Sequence, residues 1–334
     1  MTISLRATLA GLLLAAPSAL CAQAANTDVF VAPITRIGDS IVIGKVVNAT
    51  HRAGYDNQPS FTADSRAVLY TAQSNGQTDI WRYDLGTART RRLTNTPESE
   101  YSPKPIPGQA RFSVVRVERD STQRLWSFTL NGSAPKLVLS GLKPVGYHAW
   151  ISPTTVAAYI LGSPSTLHLA ETDGSYDVAV STDVGRALET VPPSSRALFS
   201  FTQRGYEGKP GIFIFTGRPD TTRYVHQVVA RNPAQRGVLA ETRRTVVDSV
   251  VIGVQKPYQL VGLAGDNEFH AWTPDGVLLS ANGAAIVRWS GVLGEGSRWM
   301  PVADLQAAGV RNITRMAVSP DGNWLAFVAE PATP

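Results

Sequence analysis

The sequence has a single cysteine, Cys21, among 334 residues. One thiol cannot form an internal disulfide or supply a thiolate-rich zinc site. Histidine is scarce as well. The five, His51, His148, His168, His226 and His270, include no pair at metal-ligand spacing along the chain. No glycine-rich loop carries a phosphate-binding lysine, and no strand-to-helix dinucleotide fingerprint is present, which removes the common nucleotide-binding classes. Charged residues make up only 17% against 43% hydrophobic, a balance that suits a packed core and not a disordered chain. The net charge of +5 is mild for this length. Its densest basic cluster, Arg89, Arg91 and Arg92, reads as a solvated strand face, so no nucleic-acid partner is expected.

What is present begins with a leader. Arg6 gives a positive start, Ala7 to Leu20 form an apolar run too short to span a bilayer comfortably, and Ala22-Gln23-Ala24 is a small-residue cleavage pattern. Residues 1–24 are therefore expected to be a secretory signal peptide, with the mature chain starting at Ala25 in the periplasm. Cleavage there removes Cys21. Leu20 before it is larger than the residue lipidation requires, and no transmembrane segment is expected in what remains.

A repeat follows. A lead residue, a short turn and an apolar strand recur at Phe61, Pro105, Trp150, Val191, Trp272 and Val318, with spacings of 44, 45, 41, 81 and 46. Periods near 40 to 50 residues mark propeller blades. The turns explain themselves in Trp272-Thr273-Pro274-Asp275-Gly276 and Val318-Ser319-Pro320-Asp321-Gly322: proline presets φ, aspartate caps, and glycine takes the positive φ that leads into the next strand. A second amphipathic strand follows most copies by about 20 residues, as in Asp79-Ile80-Trp81-Arg82-Tyr83, and a fourth β-rich run completes each unit. Trp81, Trp126, Trp150, Trp272, Trp289 and Trp324 fall at repeat positions and read as blade-packing core.

The last copy stops after two strands, at Glu330. Asp28 to Ala32 look like a third strand and Lys45 to Thr50 like a fourth. The two ends thus supply complementary halves of one blade, which would close the ring and cover its edges. The expected fold is an all-β propeller in a single domain, residues 25–334. The long gap of 81 residues is read as an insertion within about 217–262, giving six blades; seven is the alternative.

Ser319-Pro320-Asp321-Gly322, Asp79-Ile80-Trp81-Arg82-Tyr83-Asp84 and Leu93-Thr94-Asn95-Thr96-Pro97 resemble the WD40-like repeats of TolB-type β-propellers, most closely over residues 55 to 130. TolB carries a separate α/β domain before its propeller. Here about 30 mature residues precede the first full repeat, and they look like blade strands. The resemblance implies a fold more than a function, because this propeller hosts unrelated roles.

Chemical signatures are sparse. Gly38-Asp39-Ser40-Ile41 is similar to the nucleophile block of GDSL-type hydrolases but lacks the partner block, and reads as a turn. Ser133-x-x-Lys136 contains Pro135 where a helix would have to run. Gly294-Glu295-Gly296-Ser297 is a loose turn. The suggestive pattern is His148-Ala149-Trp150 and His270-Ala271-Trp272, which occupy one place in two blades, with Glu189 at the same place in a third and Pro59 and Pro103 in the first two. Innermost-strand residues lie close to a propeller's central channel, so His148, His270 and Glu189, with Asp56, Glu100 and Glu268 near the mouth, are the candidate ligand-binding set. The other reading makes His-Ala-Trp a repeat remnant whose imidazoles hydrogen-bond neighbouring backbone. No cofactor is expected and no catalytic residue is assigned. The function expected is a periplasmic module for binding an envelope protein or a small ligand. Some TolB-like propellers act as oligogalacturonate lyases with a central metal, so the alternative is a metal-dependent enzyme acting on oligosaccharide or peptide at the channel.

Overall fold

The computed structural model describes residues 26–192, 198–205, 208–216, 219–231, 241–254, 256–291 and 296–331, with side chains described outside 216–255. The leader, with Cys21 and the cleavage pattern, lies outside the described residues. The chain is an all-β ring of six blades, each a four-stranded antiparallel sheet. No helix among the described residues is long and apolar enough to cross a membrane.

Blade 1 is Asp56–Phe61, Ala67–Ser74, Gln77–Asp84 and Arg89–Arg92. Blade 2 is Ser99–Pro105, Arg111–Val117, Gln123–Thr129 and Lys136–Leu139. Blade 3 is Val145–Trp150, Thr155–Ile160, Thr166–Glu171 and Asp177–Thr182. Blade 4 is Val184–Thr190, Leu198–Arg204, Pro210–Thr216 and Tyr258–Gly262. Blade 5 is His270–Trp272, Leu278–Asn282, Ala285–Trp289 and Trp299–Asp304.

Blade 6 is built from both ends of the chain. Met316–Val318 and Trp324–Pro331 are its inner strands, and Asp28–Ile37 and Val47–Asn48 its outer ones. Asp28 faces Ala329 and the register runs to Pro33 opposite Trp324. Phe30 stacks on Phe327 with ring centres 5.4 Å apart. Asp28–Ile37 then continues past the blade into a hairpin with Ser40–Ile43, and Gly38-Asp39 is the turn of that hairpin.

Burial follows position in the blade. The second strand of blade 1, Ala67–Ser74, is buried over six successive residues, whereas its outer strand, Arg89–Arg92, is exposed throughout. A middle strand has a neighbouring blade on each face, so it needs apolar side chains on both sides and loses the alternation of a half-solvated strand. Six apolar clusters result, one at each blade-to-blade interface. Leu69, Ile80 and Leu93 of blade 1 meet Phe112, Val114 and Phe128 of blade 2. The closing blade is held on both sides: Val29, Val31 and Val328 meet Val68 and Tyr70, while Phe30 and Phe327 meet Leu279 and Ile286.

The turn between the first two strands of a blade uses a residue that the Pro-Asp-Gly pattern leaves out. The Ser319 hydroxyl donates to Asp321 Oδ1 at 2.5 Å and accepts from the Trp324 backbone N–H at 2.9 Å. Thr273 and Thr62 do the same work with Asp275 and Asp64. The long gap before blade 5 is a hairpin, Pro219–Arg231 paired with Glu241–Val254, placed between the third and outer strands of blade 4. The ring therefore has six blades and not seven, and Tyr258–Gly262 belongs to blade 4 itself.

Candidate functional site: the central channel

The inner strands of all six blades converge on one channel. It has a narrow chamber of about 50 Å³, entered from the side where the inner strands begin, and an apolar funnel of about 350 Å³ on the side where they end. Lys104 of blade 2 and Glu189 of blade 4 border both cavities and form an ion pair of 3.1 Å across the axis. Removal from bulk water raises the Glu189 pKa, and Lys104 opposes the rise. Trp150, Trp272, Phe61 and Ile106 line the funnel.

His148 and His270 line the narrow chamber, and both are almost fully buried. Each ring is tied to the preceding blade through one serine. Ser113, on the second strand of blade 2, has its Oγ 2.6 Å from His148 Nε2 and receives the Trp150 indole N–H at 2.8 Å. Ser200 in blade 4 repeats this with His270 Nε2 at 2.7 Å and the Trp272 indole at 2.9 Å. The serine hydroxyl has a longer alternative acceptor in each case, the Lys104 carbonyl at 3.2 Å or the Glu189 carbonyl at 3.3 Å. These contacts fix each Nε2 on its serine hydroxyl, and the ring's tautomer sets which of the two atoms donates. Burial drives the pKa of His148 down to about 3, helped by Lys104. Burial takes His270 to about 4, with the Glu268 carbonyl opposing. Both rings are neutral at pH 7. Neither Nδ1 has a protein partner at hydrogen-bonding geometry.

The other sequence candidates lie elsewhere. Glu268 lines a groove beside the channel rather than the chamber, and it grips Arg186 through its side chain and its backbone N–H, the latter at 2.9 Å. Asp56 is fully buried and takes Arg52 at 2.5 Å. Glu100 is fully buried at the interface of blades 1 and 2, bonded to Thr96 and 3.4 Å from Arg116. Burial raises its pKa to about 7 against the pull of Thr96, Thr94 and Arg116. Neither Asp56 nor Glu100 borders the chamber. Among the described residues no three His, Cys, Asp or Glu side chains are grouped to hold a metal ion.

Sequence reasoning missed the residues of the narrow mouth. Arg315 of blade 6 lies 4.0 Å from the ring centre of Phe269 and 5.2 Å from that of Tyr147, whose hydroxyl it bonds at 3.0 Å. Arg186 covers Phe269 at 5.5 Å. Tyr147, Phe269 and Arg315 each stand three residues before their repeat's lead residue, so the alignment contained the signal. It was hidden by their differing chemistry. The corresponding positions in blades 1 and 2, Gln58 and Ser102, adopt positive φ of 57° and 53° where the inner strands bulge. Such strain in a residue other than glycine costs about 1 kcal/mol or more and concentrates at functional sites.

The fold and channel define a six-bladed β-propeller scaffold, similar in fold to TolB-type propellers. A putative TolB from Agrobacterium tumefaciens is similar over 92% of this chain and 99% of its own, with a TM-score of 0.61 at 12% identity. TolB from Acinetobacter baumannii matches over 91% of this chain and 66% of its own, with a TM-score of 0.50 at 11% identity. A gluconolactonase from Xanthomonas campestris matches over 89% of this chain and 94% of its own, with a TM-score of 0.55 at 10% identity. These likenesses concern the fold. No protein-family model matches the sequence, and no curated protein matches it.

Proposed function

We propose that the protein is a non-catalytic binding module of the periplasm, which holds a small ligand or a segment of an envelope protein at its central channel. The observation that carries this reading is the locked state of the channel histidines. Each is bonded through Nε2 to a buried serine, with its pKa held near 3 or 4. Such a ring is a poor proton acceptor at neutral pH, where a general base works best with a pKa near 7. The channel thus offers shape and fixed dipoles rather than proton transfer. The likeness to TolB-type propellers supports the same reading, and export rests on the leader pattern of residues 1–24.

The test is retention from periplasmic extract by the immobilised mature chain, compared with two channel variants. Ala317→Trp fills the funnel and Arg186→Gln alters the narrow mouth. A specific ligand or partner should be retained by the wild type and lost by at least one folded variant. Equal retention by all three would remove the channel as the binding surface.

The second reading, a metal-dependent enzyme acting on oligosaccharide or peptide, draws on the fold likeness to the gluconolactonase. It requires both histidines to leave their serines and turn to a shared ion. Elemental analysis of the purified protein, with His148→Ala and His270→Ala as controls, separates the two. Stoichiometric metal lost from both variants would favour the enzyme.

A further inference from the structure

We propose that the narrow mouth of the channel is a receptor for a single carboxylate, with Arg315 as its anchor. This deepens the binding-module reading and rests on it.

Charge balance comes first. Four charged side chains border the chamber: Lys104, Glu189, Arg186 and Arg315. Lys104 and Glu189 neutralise each other at 3.1 Å. Arg186 is matched by Glu268. Arg315 pairs with no carboxylate among the described residues; its contacts are the Tyr147 hydroxyl and two aromatic faces. The mouth therefore keeps one uncompensated positive charge, and a monoanion is what balances it.

The geometry selects a planar anion. Phe269 and Tyr147 hold the guanidinium by cation–π contact, which fixes its orientation without discharging it. One of its NH₂ groups is engaged by Tyr147, leaving the rest of a rigid donor fork that suits two carboxylate oxygens. A sterically fixed arginine loses less side-chain freedom on binding than a mobile one, so more of the contact energy appears as affinity.

The surroundings add no second anion at the mouth. Tyr55 stands close enough to feel Arg315 and Arg186, yet burial pushes its pKa up to about 12, so its hydroxyl stays neutral and adds no competing anion.

Two sources present this chemistry, a free organic acid and the C-terminus of a peptide. The full mature chain is titrated by calorimetry or ligand-observed NMR with two matched pairs, benzoate against benzamide and N-acetyl-diglycine against its C-terminal amide. At least one acid is expected to bind, roughly tenfold or more tighter than its amide, and the pair that responds identifies the source. Arg315→Gln should remove that preference. Arg315→Lys, which keeps the charge but loses the fork, should restore it only in part. Circular dichroism and thermal melts establish that both variants fold. The proposal is overturned if neither acid binds at millimolar concentration, if acid and amide bind alike, or if folded Arg315→Gln keeps the preference. Failure here alongside channel-dependent retention from extract would leave the binding module standing with a different ligand chemistry. Failure of both would remove the module as well.

Discussion

Ser113 is the residue whose loss is most directly computable. Its hydroxyl is fully buried and joins three groups from two blades: the Trp150 indole N–H, the His148 Nε2 and the Lys104 carbonyl. Ser113→Ala removes few atoms and leaves no cavity worth counting. It does leave the indole N–H and the imidazole Nε2 buried without partners. Each such group costs about 1–3 kcal/mol, so the variant should lose about 3–4 kcal/mol. For about 300 folded residues the unfolding entropy is about 0.6 kcal/mol per kelvin, which converts the loss into a drop in Tm of about 5–6 °C. Calorimetry and urea unfolding at pH 7 would measure it, with Ser74→Ala, at an exposed strand end, changing stability by less than about 0.5 kcal/mol. Because Ser113 and Trp150 share one bond, Ser113→Ala combined with Trp150→Phe should cost less than the sum of the two singles. Ser200→Ala should be milder, because its Trp272 partner is only partly buried. A loss below about 1 kcal/mol for Ser113→Ala, or strict additivity with Trp150→Phe, would refute the blade-locking role assigned to this serine.

Phe327→Ala empties the centre of the closing blade and should cost about 3–5 kcal/mol, with hydrogen-exchange protection lost first in Asp28–Ile37; uniform loss around the ring would contradict a separable closing blade. A Cβ at Gly132 would meet the Leu93 carbonyl oxygen of blade 1 at 2.0 Å, whereas one at Gly76 meets nothing within 4 Å, although both have φ near +80°. Gly132→Ala should therefore cost several times the ~1 kcal/mol expected of Gly76→Ala, and equal melting points would argue against that close approach. Glu100 has its folded pKa raised from 4.5 to about 7, so its favourable contribution is complete below pH 4.5 and lost as pH rises through 7. Relative to the wild type, Glu100→Gln should gain up to about 3 kcal/mol between pH 4.5 and 7.5, and a difference that stays flat with pH would show that Glu100 titrates normally.

The architecture was legible because its signals are local and repeated. Pro274-Asp275-Gly276 and Pro320-Asp321-Gly322 announce a turn within five residues, and the 44-, 45- and 41-residue intervals need only counting. The complementary ends were readable for the same reason. Asp28 to Ala32 resemble a third strand by composition, and the pairing of Val29 with Val328 follows. The site was legible only in part. His148, His270 and Glu189 sit where strand alignment puts them, on the chamber wall. Asp56 and Glu100 do not, because the inner strands of blades 1 and 2 bulge between Asn57 and Ser60 and between Tyr101 and Lys104. A bulge of one residue changes which face each side chain takes, and the pattern of residue types contains no sign of it.

The sequence by itself determined the turns that separate the strands and the strand halves at its two ends, since each depends on residues a few positions apart. Six blades rather than seven was decided by the Pro219–Arg231 and Glu241–Val254 hairpin set inside blade 4. The tertiary structure alone decided which polar groups meet. Ser113 finds His148 across 35 positions, Ser200 finds His270 across 70, and Arg315 finds Tyr147 across 168. Those distances close only when six blades are wrapped into a ring, and at that point burial keeps each histidine neutral and leaves one arginine at the mouth without its counter-charge.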